Sequence, residues 1–90
     1  MRLDLFLKLS RLCPRRTLAQ ELCDAGLVLL NSRRAKPGHT VKAGDEISVR
    51  RRQQQTVAKI LRVPENANVS RRDAGGLIEI LSEERLEEIE

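Results

Sequence analysis

The stretch Arg15–Leu30, RRTLAQELCDAGLVLL, contains the change of period that decides the fold. Leu18, Ala19, Leu22, Cys23 and Ala25 recur at helical spacing, with Thr17, Gln20, Glu21 and Asp24 on the opposite face. Gly26 follows where a left-handed C-terminal cap is wanted. Leu27–Leu30 is then a short apolar run of strand type. The spacing predicts a helix that starts near Arg15–Thr17, stops at Gly26 and leads straight into a strand.

Upstream, Leu3, Phe6, Leu7, Ser10 and Cys13 share one helical face, and Leu5, Leu9 and Leu12 form a second apolar strip beside it. Asp4, Lys8, Arg11 and Arg15 fall on the remaining side, which predicts a narrow solvent-facing stripe. Pro14 should end this helix near Cys13. The short link makes the two helices a hairpin.

Downstream, Asn31-Ser32 reads as a turn and Arg34–Lys36 as the returning strand. Pro37-Gly38 and Ala43-Gly44-Asp45 are turn punctuation. Glu46–Arg50 alternates with Ile47 and Val49 inward, and Thr56–Val63 predicts a strand with Val57, Leu61 and Val63 on one side. Pro64–Gly76 reads as an exposed loop and Leu77–Leu81 as a last strand. Ser82 should cap a short acidic helix, with Glu83 and Glu84 in its first turn. The expected class is α+β: a two-helix hairpin on a small, twisted, mostly antiparallel sheet, with an acidic C-terminal helix.

Ninety residues leave room for one domain. Residues 1–62 hold 14 basic and 5 acidic side chains, a net +9, whereas residues 63–90 hold 3 basic and 8 acidic, a net −5. A clustered positive field attracts polyanions, so the basic part is expected to carry the function. Phe6 is the only aromatic residue, which argues against a sheet that stacks bases on aromatic rings. One His and two Cys do not build a structural zinc site, and no cofactor is expected. No apolar run approaches the length of a membrane span, and no secretory leader is recognisable at the N-terminus, so intracellular, cytoplasmic residence is the expectation. Cys13 and Cys23 are then expected to stay reduced as small buried hydrophobes, and His39 to sit in a surface loop. No nucleophile–base pair or phosphate-binding glycine loop occurs, so an enzyme is not expected.

The candidate site is basic. Arg15 and Arg16 precede Thr17 at a helix N-terminus, where unpaired N–H groups and guanidinium forks suit phosphate. Thr17 is expected to cap the helix. Lys8 and Arg11 extend the patch along the first helix, Arg2 reaches the same surface, and Arg33, Arg34 and Lys36 flank the first hairpin turn. Arg50-Arg51-Arg52 is either a solvated run or a further contact. Asn31 is expected to serve the turn rather than to contact a ligand.

Arg2-Leu3-Asp4-x-Phe6-Leu7, then Arg11, Arg15-Arg16-Thr17, Ala19, Gly26-x-Val28-x-x-Asn31, Ala35-Lys36 and Val41-Lys42-x-Gly44-Asp45, resembles the RNA-binding domain named after small-subunit ribosomal protein S-four. The resemblance covers roughly residues 1–50. Within that family the short free-standing members, RqcP-like proteins and the related heat-shock protein of 15 kDa, are the most similar. Ser32 stands where the family usually has Gly after Asn31, so that turn is expected to be strained.

The resemblance implies a helix pair on a twisted sheet that binds structured rRNA of the large subunit and tRNA. It implies a role in ribosome-associated quality control, on stalled large subunits with peptidyl-tRNA and a tailing factor. Residues 1–62 would form the RNA-binding unit and 63–90 complete the same domain, with the free protein a monomer. Three alternatives stay open: heat-shock recycling of free large subunits, a DNA-binding helical module, and a protein-interaction domain using Leu5, Leu9 and Leu12.

Overall fold

The computed structural model describes residues 1–85. Helix α1 spans Leu3–Leu9 and α2 spans Arg16–Asp24. Five antiparallel strands follow: β1 Val28–Leu30, β2 Arg33–Arg34, β3 Glu46–Arg51, β4 Gln54–Ile60 and β5 Ile78–Arg85, in the order β2-β1-β3-β4-β5. A short helix, α3, at Arg71–Ala74 precedes β5. The expected α+β class, with helices on an antiparallel sheet, is the one observed.

Burial explains the packing. Leu3, Phe6 and Leu7 of α1 and Ala19, Leu22 and Cys23 of α2 are buried with Val28, Ile47, Val49 and Ile60 of the sheet. Helix α2 ends as its sequence requires. Gly26 has φ 77, its N–H donates to the Cys23 carbonyl at 3.0 Å, and the Leu27 N–H donates to the Leu22 carbonyl at 2.9 Å. In the β1–β2 turn, Asn31 has φ 52 and Ser32 φ 68, so both central residues are left-handed. Asn31 also braces the next strand: its amide donates to Asp45 Oδ1 at 3.0 Å, and its Oδ1 accepts from the Glu46 N–H at 2.9 Å.

Several local expectations are corrected. Helix α1 stops at Leu9, not near Cys13, because Arg11 turns left-handed at φ 65. Pro14 disfavours a helical Cys13, and the intervening turn still delivers Cys13 to the core. The strip Leu5, Leu9, Leu12 belongs to that core, with Leu9 buried and the other two packed against it. Asp4 is fully buried instead of lying on an open stripe.

In β4 the inward residues are Ala58 and Ile60, while Val57 is half-buried and Leu61, just past the strand end, is exposed. Both parities carry apolar residues there. The choice is made by pairing, since Ala58 lies opposite the buried Ile47. The expected loop 64–76 contains α3, capped by Ser70 Oγ accepting from the Asp73 N–H at 3.1 Å, with Ala74 buried. The acidic helix expected from Ser82 is not formed over Ser82–Arg85. These residues extend β5, with Ser82 opposite Val57 and Glu84 opposite Gln55. Its continuation, 86–90, lies outside the described residues.

Candidate nucleic-acid interface

Asp4 organises one group of candidates. Its carboxylate accepts from Arg2 Nε and Nη2, both at 3.2 Å, from Gln20 Nε2 at 2.9 Å and from the Leu5 N–H at 2.8 Å. Arg16 Nε lies 3.3 Å away, within ion-pair range but out of line for a hydrogen bond. Burial alone would raise the Asp4 carboxyl, but Gln20, Arg2, Arg16 and the Leu5 N–H together hold it below the ordinary 3.8. One buried carboxylate therefore fixes two guanidinium groups from different elements, and both stay partly open to solvent, with 54% of the Arg2 side chain and 42% of the Arg16 side chain exposed.

Neighbouring elements complete this group. The Leu3 N–H donates to the His39 carbonyl at 2.7 Å and the Asp4 N–H to the Pro37 carbonyl at 3.1 Å, so loop 35–41 crosses the start of α1. A Cβ on Gly38 would lie 3.7 Å from the Arg2 guanidinium carbon. Lys36 is exposed at the start of that loop, and His39 is exposed within it. Arg15 is the α2 N-cap residue without a side-chain cap, so the Thr17 cap is not formed, and Thr17 stands exposed in the first turn. The uncapped first turn keeps N–H donors available beside Arg15 and Arg16.

Arg33 and Arg34 form the exposed edge strand β2. Arg34 Nη2 donates to the Asp24 carbonyl at 2.8 Å, and its guanidinium covers Gly26, where a Cβ would come within 3.0 Å. Arg34 therefore secures the end of α2. Lys8 and Arg11 form a third group: both are exposed and line one groove together with Arg51. The structure thus distributes the nine predicted residues over three places. Arg51, one of three arginines in a run the sequence left open, lines that groove too, and Arg71, which the sequence placed in a loop with no signal to set it apart, lines an adjoining groove with Arg11 and Arg51.

Among the described residues, no group of three or more His, Cys, Asp or Glu side chains is placed to hold a metal ion. Cys13 and Cys23 are buried thiols; burial pushes Cys13 up and Cys23 up to about 11, so neither is an activated nucleophile. Among the described residues, no helix is long and apolar enough to cross a membrane.

Comparison with known proteins agrees with this architecture. The S4 domain model matches residues 1–47. A protein of Listeria innocua called RQC P-site tRNA stabilizing factor is 46% identical over 98% of this chain and 94% of its own length. The trimeric structure of Vibrio cholerae Heat Shock Protein 15 superposes with a TM-score of 0.81 at 27% identity, covering 91% of this chain and 82% of that one. The solution structure of a hypothetical protein, HP1423, gives a TM-score of 0.78 at 39% identity over 91% of this chain and 98% of that one. The chain belongs to the S4 domain family, in the group that holds the RQC P-site tRNA stabilizing factors.

Proposed function

We propose that this protein is a non-catalytic, cytoplasmic RNA-binding factor of ribosome-associated quality control. It binds rRNA of the large subunit together with tRNA, on stalled subunits that retain peptidyl-tRNA, and so supports C-terminal tailing by a partner factor. The relatives' name, P-site tRNA stabilizing factor, supports the tRNA part.

The observation that carries the proposal is the pair Arg2 and Arg16, fixed on buried Asp4 beside the uncapped start of α2. Guanidinium groups held in place lose little freedom when they bind phosphate, and two of them set a spacing. Arg15 and Thr17 extend this site at the helix start, and Lys36 from the adjoining loop. Lys8, Arg11 and Arg33 add phosphate contacts, and Arg34 mainly positions α2. Residues 1–62 form the S4-like RNA-binding unit, residues 63–90 complete the same domain, and the free protein is a monomer. Without an exposed Phe, Tyr or Trp among the described residues, recognition relies on RNA shape and phosphate position.

The test is affinity for a structured rRNA fragment against salt, with duplex DNA as competitor. Four to six phosphate contacts give a slope of log affinity on log salt of about −3 to −5. A nearly flat slope, or equal competition by duplex DNA, contradicts the proposal.

A further inference from the structure

Two grooves share Arg11 and Arg51, on the side where α1 ends and β3 runs out. The first, of about 510 Å³, has a floor of Leu12, Val49, Ala74 and Ile78, with the exposed Arg11, Arg51 and Arg71 around it. The second, of about 570 Å³, passes Lys8 and Pro14. Arg11 holds φ 65, a conformation that a residue other than glycine adopts only at a cost. Among the described residues, Arg11, Arg51 and Arg71 form no ion pair. The one acidic side chain lining the first groove, Glu83, accepts from Gln54 at 3.5 Å.

Unpaired cations around an apolar floor match a ligand with phosphate at its edge and a flat, weakly polar body. A nucleotide turned out of an RNA helix has that chemistry: its base needs a surface to lie on, and guanidinium planes and aliphatic side chains supply one where aromatic rings are lacking. We propose that the first groove receives one unpaired nucleotide of the bound RNA, with its base on the Leu12–Val49–Ile78 floor and its phosphates on Arg11, Arg51 and Arg71. The strand leaves along the second groove past Lys8, and the Glu83 carboxylate faces the base, where it accepts from an amino group. The inference rests on the RNA-binding function proposed above and adds a second contact area to it.

Fluorescence anisotropy with two RNA stems, identical except that one carries a single-nucleotide bulge, tests it. The wild-type protein is expected to bind the bulged stem about fivefold or more tightly than the paired stem. Arg51→Ala combined with Arg71→Ala is expected to bring the two affinities together, with an unchanged melting curve; if the double variant does not fold, Arg71→Ala alone is read in its place. Equal wild-type affinities for the two stems, or a preference that survives the substitutions, overturn the proposal and leave RNA binding standing. A wild-type protein that binds neither stem overturns both. A groove that instead takes an acidic peptide would show as competition by poly-glutamate with no bulge preference, which also overturns it.

Discussion

Gln20 on α2 donates to the Asp4 carboxylate on α1 at 2.9 Å, and this bond ties the two helices together inside the same cluster that holds Arg2 and Arg16. The pair links fold to candidate site, because one carboxylate both bonds the two helices and holds Arg2 and Arg16 beside it.

Asp4→Asn is expected to lower stability by about 2–3 kcal/mol, the scale of hydrogen bonds to a charged group. The pH dependence follows from the depressed carboxyl. Stability from Asp4 is fully present above its unfolded value of 3.8 and is lost as pH falls from there through the lower folded value. Denaturant melts between pH 7 and pH 2 should show this acid-side loss in the wild type and a shallower one in Asp4→Asn. Equal slopes would show that Asp4 is not held ionised by its partners.

Ser32→Gly should stabilise the protein. Ser32 sits at φ 68 in a two-residue turn, where glycine carries no Cβ penalty. A gain of about 0.5–1 kcal/mol, seen as a rise of a few degrees in Tm, is expected. A lower Tm would mean that the serine hydroxyl contributes more than its conformation costs.

The charge pattern and the helix–strand change at Gly26 were legible because each depends on neighbours in sequence. Gly26 announces its own left-handed cap, and Asn31 announces a turn. Tertiary pairing decided what was not legible. Asp4 looked like a member of an open stripe, since only the folded chain brings Gln20, Arg2 and Arg16 around it. The inward parity of β4 followed from Ile47 opposite Ala58, and the strand character of Ser82–Arg85 from β4, against a local pattern of cap and acidic first turn. For the site, residue types were readable but grouping was not. Arg34 proved to be held on the end of α2, and Arg51 joined Arg11 across a groove.

Arg16→Ala is expected to weaken RNA binding by about 1–3 kcal/mol. Its effect on folding should be smaller, about 1 kcal/mol or less, because a half-exposed ion pair contributes little. The stability change is nonetheless not zero, since Arg16 faces a buried carboxylate. Binding corrected for the folded fraction separates the two effects. Full binding per folded molecule would make Arg16 a structural residue alone.

Truncation should divide the C-terminal segment at Arg85. Ending the chain after Leu81 removes Ser82–Arg85 from their pairing with β4, so the melting temperature should fall. Ending it after Arg85 removes Glu87, Glu88 and Glu90 but keeps every described strand, so RNA affinity should be unchanged or modestly higher, and added salt should erase any gain. Loss of most affinity in the folded, longer truncation would place residues 86–90 on the RNA surface.

Co-sedimentation with defined ribosomal particles tests the central claim most directly. The protein should pellet with large subunits that carry peptidyl-tRNA, pellet less with large subunits stripped of tRNA, and lose both in Arg2→Ala combined with Arg16→Ala while that variant remains folded. Equal pelleting with stripped and tRNA-bearing subunits, or preferential pelleting with intact translating ribosomes, would contradict the account.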